Sequence, residues 1–314
     1  METEYVNLGD IIAKNGEGET IIINFPHEEP SERANYPERK GRELGPACLN
    51  RFFSLIAKVQ NKQGKISTIG DVLRPKQNIH VKRRKYYTLK TLFSFEELLD
   101  LARQTIFDRI FSLGKSCLFI SSIFETIFPL YQAFGLANPN TQTTVLIFSP
   151  FAHLQSHYDI GHIRNESAVR KLAENLNSNK DTIHILGVHK SRLFESEVET
   201  LDKLSNVHLT FDEDLNQELV IQSVRKIINE SDNVLVAFSF CAAESSSFKG
   251  CNHPNFSSLW NSRSMLSLVQ LLGSSPNVKS LQFSDYNPRQ EDYASGILFS
   301  NLLFAFLNEK YQLL

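Results

Sequence analysis

Residues 234–254 read VLVAFSFCAAESSSFKGCNHP, an unbroken apolar run followed by a polar stretch that is rich in serine. An alternating pattern would leave one face of a strand in water, whereas a continuous apolar run suits a strand that is covered on both faces. The run Val234–Phe240 is therefore predicted to be an inner strand of a parallel sheet. Ligands bind such sheets at the carboxyl ends of the strands, so the residues after Phe240 are candidates for a site.

Five more runs of this kind occur along the chain: Thr20–Phe25, Cys117–Ser121, Thr144–Ser149, Ile183–Val188 and Ser280–Tyr286. Segments with helical periodicity lie between them: Phe95–Phe111, Ser167–Leu176, Leu215–Ile228, Ser262–Leu272 and Gly296–Tyr311. This alternation predicts the α/β class, a three-layer αβα sandwich with a mostly parallel central sheet. Because no long linker interrupts the order, we predict a single domain over 1–314, with a polar loop region at 26–45 and a C-terminal helix at 296–314.

Composition excludes several classes of protein. Lys and Arg number 33 against 35 Asp and Glu, a net charge of −2, which argues against a dedicated nucleic-acid binder. The apolar fraction of 41% is too high for a disordered chain, and the longest apolar stretch, Gly296–Leu307, is too short to span a bilayer. The start of the chain resembles no secretory leader, and the cysteines form no CxxC pair, so we expect a cytoplasmic protein with free thiols and no membrane contact.

The predicted strand ends are Ser121–Glu125, Ser149–His153, Ser239–Glu244 and Asp285–Pro288. Several of these segments resemble motifs of the arginase, or ureohydrolase, superfamily, which includes arginase, agmatinase and formiminoglutamase. In the segment after Val234–Phe240, Gly250 and Pro254 match the family pattern. Near the start, Gly45-Pro46 is similar to its Gly-Pro segment, and Asp285-Tyr286-Asn287-Pro288 to its Glu-x-Asn-Pro. The resemblance implies an arginase-like fold and, in the family, two Mn²⁺ ions at the carboxyl edge of the sheet.

The ligands of those two ions are missing from this sequence. The alignment puts the six liganding positions on Phe124, Ser149, Phe151, His153, Ser239 and Cys241, and none of them is a carboxylate. A register shifted by two residues over 151–155 keeps the histidine and still loses both acids. Since Mn²⁺ prefers carboxylate and imidazole ligands, we predict no bound metal, no other cofactor and no catalytic residue. With Glu244 and Asp285, the six positions are predicted to line a vestigial active-site cleft.

We therefore expect an arginase-like protein that has lost the Mn²⁺ cluster, is inactive as a ureohydrolase and has a binding, regulatory or scaffold role. The alternative is an active hydrolase of guanidino or amidino compounds, a C–N hydrolase on linear amidines. It would have a rebuilt or single-metal site at His153 and Cys241. The family resemblance implies a homo-oligomer, such as a trimer; a further protein or small-molecule partner stays unidentified.

Two further alternatives rest on short motifs. The basic run Lys82–Lys85, followed by two tyrosines, could contact a nucleic acid or a phospholipid surface, although a solvated loop explains it as well. His153 and His157 are four residues apart and would share the face of a helix, but a third metal ligand is not obvious.

Overall fold

The computed structural model describes residues 5–7, 16–27, 41–52, 58–60, 65–72, 95–155, 167–214, 216–251, 253, 255, 258–290 and 294–314. Its centre is an eight-stranded sheet in which every neighbouring pair of strands is parallel, in the spatial order β4-β2-β5-β10-β9-β6-β7-β8. These strands are β2 Thr20–Phe25, β4 Ile66–Asp71, β5 Ser116–Ser121, β6 Thr143–Phe148, β7 Thr182–Val188, β8 Val207–Phe211, β9 Asn233–Ser239 and β10 Val278–Ser284. A separate antiparallel pair joins β1 Tyr5–Asn7 to β3 Lys58–Gln60.

The helices cover both faces of the sheet, which confirms the predicted three-layer α/β architecture. One core cluster packs the sheet against α1 Gly45–Phe52, α6 Gln217–Asn229, α7 Ser262–Ser274 and α8 Ala294–Tyr311. The other packs the opposite face against α2 Phe95–Arg109, α3 Ile127–Ala137 and α4 Ala168–Glu174, with α5 Glu195–Leu201 at its margin. No helix among the described residues is both long enough and apolar enough to cross a membrane.

Some predicted boundaries need correction. The predicted polar loop at 26–45 includes a turn of 3₁₀ helix, Arg42–Leu44, and its last residue begins α1. The C-terminal helix begins two residues earlier than predicted and ends at Tyr311 instead of continuing to 314. Three predicted strands extend one or two residues too far, because Ser149, Phe240 and Tyr286 belong to the turns that follow β6, β9 and β10. The single-domain organisation over 1–314 stays a prediction.

The order of the strands creates a crevice at the middle of the sheet. β5 and β6 follow each other in the chain, but β10 and β9 lie between them in the sheet. Such a reversal of strand order leaves a gap outside the carboxyl ends, where ligands of α/β proteins bind. The register places Ser239 beside Ser284, and Phe148 beside Phe238, so these strands end at about the same level. The predicted site residues are therefore brought to one edge of the sheet.

Candidate functional site

Ser149 and His153 form a buried hydrogen-bonded pair directly after β6. Ser149 Oγ lies 2.7 Å from His153 Nε2 and also accepts a hydrogen bond of 3.1 Å from the backbone N–H of Phe151. His153 has a left-handed backbone with φ of 56°, and its carbonyl oxygen accepts hydrogen bonds from Val169 and Arg170 in the first turn of α4. The carbonyl oxygen of His153 therefore satisfies backbone donors at the start of α4, while its imidazole ring lies against Ser149.

Two phenylalanines surround the imidazole ring of His153. Phe124, which follows β5, stacks on that ring with centroids 4.4 Å apart and an interplanar angle of 15°. Phe151 meets it at a steep angle, with centroids 5.8 Å apart. Phe124 is completely buried, and its carbonyl oxygen accepts a hydrogen bond of 3.1 Å from Gln282 Nε2 on β10. The rings fill the space beside the imidazole and offer no lone pair to a metal ion.

Asp285 forms a second cluster at the ends of β9 and β10. Its Oδ2 accepts hydrogen bonds from Ser239 Oγ at 2.6 Å and from Ser284 Oγ at 3.1 Å, while Arg42 Nη1 lies 3.3 Å from its Oδ1. Burial raises the pKa of the Asp285 carboxyl above its ordinary value, although Arg42 and both serines act in the opposite direction. Like His153, Asp285 has a left-handed backbone, with φ of 70°.

Cys241 lies in the turn after β9, where its thiol interacts with the thiol of Cys251. The hydrogen bond between the two thiols, followed by burial, raises the pKa of Cys241 well above the ordinary value of a thiol. The backbone N–H of Cys241 also donates to Ser239 Oγ at 3.3 Å. A reactive cysteine needs a lowered pKa, so this environment keeps Cys241 in its neutral form.

The turn from Phe240 to Phe248 is held by aromatic packing and by Glu244. Phe240 stacks almost parallel on Phe248, with centroids 4.1 Å apart, and packs against Phe283 and Phe299 on β10 and α8. The backbone of Glu244 accepts from the N–H of Phe248 and donates to Trp260. These contacts give this segment the character of a protein core.

A small cleft of about 80 Å³ remains beside Phe151 and His153. Arg192, after β7, lies over the Phe151 ring at 4.9 Å, and His253 meets the same ring edge-on at 5.7 Å. Glu197 lines the cleft, and its two oxygens accept hydrogen bonds from the backbone N–H groups of Leu154 and Phe194. A larger described cavity, of about 690 Å³, opens at the opposite edge, where β2 and β5 begin.

The donor set at the strand ends does not fit a pair of manganese ions. Within the described ranges, no group of three or more His, Cys, Asp or Glu side chains is arranged to hold a metal ion. The six aligned positions form two clusters, one around His153 and one around Asp285. A hydroxyl and two aromatic rings replace charged ligands in the first cluster, and a hydroxyl and a thiol replace them in the second. Neutral hydroxyls supply no charge against two divalent cations in a buried cleft.

Several residues singled out from the sequence lie outside the described part of the chain: His157, Pro254 and the basic run at 82–85. His153 lies in an irregular stretch over the described residues 149–155 and not in a helix, so at this residue the structure gives no support to the alternative of a helix face shared with His157. Sequence reasoning missed Arg42, Arg192, Glu197 and His253. Arg42 stands three residues before the matched Gly45, which is the one signal that could have drawn attention to it.

Comparison with solved structures shows which fold this is. Neither a protein-family model nor a curated protein matches the chain. The structure is similar to a Trypanosoma cruzi formiminoglutamase with Mn²⁺, with a TM-score of 0.80 and 17% identity over 96% of this chain and 97% of that one. An arginase superfamily protein from T. cruzi gives a TM-score of 0.81 and 17% identity, over 97% of each chain. The formimidoylglutamase of Bacillus subtilis gives 0.76 and 14% identity, over 98% of this chain and 93% of that one. The chain therefore has the arginase-like α/β fold.

Proposed function

We propose that this chain is an arginase-like protein that has lost the Mn²⁺ cluster and acts by binding, in a regulatory or scaffold role, and not as a ureohydrolase. The proposal rests on the two side-chain clusters at the strand ends, in which packing and hydrogen bonds within the chain occupy the aligned positions. Phe124 covers His153, whose Nε2 is bonded to Ser149, and Asp285 is engaged by Arg42 and Ser239.

Loss of the metal would remove the nucleophile of the family reaction. That chemistry uses a water whose pKa two metal ions depress, so that hydroxide is present at neutral pH. Ser149, Ser239 and Cys241 carry no carboxylate to bridge two cations, and His153 shares its Nε2 with a hydroxyl. Asp285 cannot replace the nucleophile, because its oxygens accept two serine hydroxyls and face a guanidinium.

The alternative, a hydrolase built on Cys241 and His153, has less support. A nucleophile–base pair needs the thiol to donate to an imidazole nitrogen. The Cys241 thiol is engaged with Cys251, its pKa is raised, and His153 Nε2 is 2.7 Å from Ser149. The alternative would be supported if Cys241→Ala abolished a measured amidine hydrolysis while leaving the fold intact.

Metal binding tests the proposal. Protein purified without chelator is incubated with Mn²⁺ or Zn²⁺, and bound metal is measured by mass spectrometry after gel filtration. Hydrolysis of arginine, agmatine and formiminoglutamate is assayed in parallel. We expect no stoichiometric metal and no turnover. Stoichiometric Mn²⁺ accompanied by turnover would overturn the proposal, and stoichiometric Zn²⁺ would favour the alternative.

A designed variant tests the residue assignment behind the proposal. Ser149→Asp, Phe151→His, Ser239→Asp and Cys241→Asp together restore acids and an imidazole at four aligned positions. We expect this variant to gain Mn²⁺ affinity, measured by the loss of the free-ion electron paramagnetic resonance signal. The matched control places Asn at the same three acid positions and keeps the histidine, and it should bind no Mn²⁺. Equal behaviour of the two folded variants would refute the assigned register.

The cellular setting and assembly belong to the same proposal. A cytoplasmic location is consistent with four free cysteines, of which three are buried. A trimer-like homo-oligomer is expected from the family resemblance. Analytical ultracentrifugation tests the assembly, since a monomer at micromolar concentration would contradict it.

A further inference from the structure

Two histidines lie side by side on the last two strands at one end of the sheet. His184 on β7 and His208 on β8 are direct partners in the parallel register, and β8 is the edge strand. Their ring centroids are 4.8 Å apart, and the interplanar angle is 32°. The backbone of two paired strands therefore fixes the spacing of two imidazoles on the same face of the sheet.

His184 occupies a position at which an apolar residue would be expected. Leu146 lies beside it on β6, and Leu186 follows two residues later on β7; both leucines are buried in the core cluster that includes α6. His184 is half-buried, whereas His208 is exposed. Neither ring forms a hydrogen bond within the part of the chain that the structure describes. No internal hydrogen bond therefore accounts for a histidine in this row of apolar side chains.

His184 is held in the protonation state that a metal ligand needs. Burial, aided by the neighbouring His208, lowers the pKa of His184 from 6.5 to about 4. An imidazole coordinates a metal ion through a nitrogen that carries no proton. At neutral pH, His184 therefore has a nitrogen lone pair available, and no proton has to be displaced before an ion binds.

The separation of the two rings suits two imidazoles bound to one metal ion. With a metal–nitrogen bond of about 2.0–2.1 Å, the centre of a coordinated imidazole ring lies about 3.2 Å from the ion. Two such rings at a bond angle of about 90–110° have centroids about 4.5–5.2 Å apart. The observed separation of 4.8 Å lies within this range. Because the χ2 angle of histidine is only broadly restrained, the rings can turn without any movement of the strands.

We propose that His184 and His208 bind a divalent transition-metal ion, with Cu²⁺ as the preferred ion. Among the first-row divalent ions, Cu²⁺ binds nitrogen ligands most tightly, Zn²⁺ binds them more weakly, and Mn²⁺ is the weakest. No third His, Cys, Asp or Glu side chain completes the site within the described ranges, which leaves the other coordination positions to water. The inference goes beyond the proposed function, because the pair lies in the middle of β7 and β8 and not at the strand ends.

Calorimetric titration with CuCl₂ at neutral pH, with glycine as a competing ligand, tests the pair. Wild type should bind one Cu²⁺ ion that His208→Gln binds about a hundredfold more weakly, because chelation by two ligands becomes binding by one. His208 is exposed, so this substitution should leave the fold intact, as checked by circular dichroism. His27→Gln is the matched control: it removes a half-buried histidine elsewhere and should leave the affinity unchanged.

Pulsed electron paramagnetic resonance of the bound Cu²⁺ counts the coordinated imidazoles. We expect two in wild type and in His27→Gln, and one or none in His208→Gln. The inference is overturned if wild type binds Cu²⁺ no more tightly than His208→Gln, or if its bound Cu²⁺ has fewer than two imidazole ligands. Zn²⁺ that wild type retains and His208→Gln loses would belong to this pair and support the inference. Mn²⁺ binding with turnover would refute the proposed function and leave the copper result standing.

Discussion

Phe124→Ala distinguishes a filled core from an open functional cleft. Phe124 is fully buried, stacks 4.4 Å from His153 and belongs to the core cluster that includes α2 and α3. Truncation of a phenylalanine at such a position costs about 3–5 kcal/mol of unfolding free energy, including about 0.5–1.5 kcal/mol from the aromatic pair. The hydrogen bond from Gln282 to the Phe124 carbonyl involves the backbone and is retained. The expected loss therefore reports on the ring alone.

The assay is equilibrium unfolding in guanidinium chloride, followed by far-ultraviolet circular dichroism. Phe194→Ala is the matched control, because Phe194 lines the neighbouring cleft but is 57% exposed, and it should cost under about 1 kcal/mol. Residues of a working active site are often strained, so that their replacement leaves stability unchanged or raises it. A change under about 1 kcal/mol for Phe124→Ala would refute the interpretation of this ring as core packing.

Three further outcomes follow from contacts and burial elsewhere in the structure. Glu197→Gln removes the charge from a carboxylate that accepts two backbone N–H groups, and urea unfolding should show a loss of about 1–2 kcal/mol; no loss would contradict this role. Burial, aided by His208, lowers the pKa of His184 from 6.5 to about 4, so the folded protein favours the neutral ring. The free energy of unfolding should therefore fall as pH drops from about 6.5 towards 4, and His184→Gln should flatten this dependence; an unchanged slope would argue against it. A thiol reagent should label Cys48 in the native protein and Cys241 only after unfolding, as read by mass spectrometry, and rapid native labelling of Cys241 would contradict its burial.

The pattern of apolar runs predicted the six inner strands of the sheet but not its two edge strands. All six runs became strands that are covered on both faces, while β4 and β8 lie at the two edges of the sheet. Edge strands need less apolar sequence: in β8, Val207–Phe211, one residue is buried and the others are partly or fully exposed. Helix α3 was missed because it is apolar on every side and contains Pro129, which is tolerated in its first turn.

At the site, sequence predicted which positions would meet at one edge but not how they would be bonded. The family resemblance located Phe124, Ser149 and Asp285 through their motifs. It could not predict that Arg42 would reach Asp285, a partner 243 residues away, because such a contact leaves no local pattern. The left-handed backbone at His153 and Asp285 is similarly invisible, since it is imposed by the surrounding packing.

Crystals of the wild-type protein soaked in Mn²⁺ show directly whether the strand-end clusters bind a metal ion. An anomalous difference map collected near the manganese absorption edge reports whether a metal ion lies among Ser149, His153, Ser239 and Cys241. We predict no anomalous peak there, with Phe124 stacked on His153 and Arg42 beside Asp285. One or more peaks bound by these side chains would contradict the claim that the strand-end site has lost its metals.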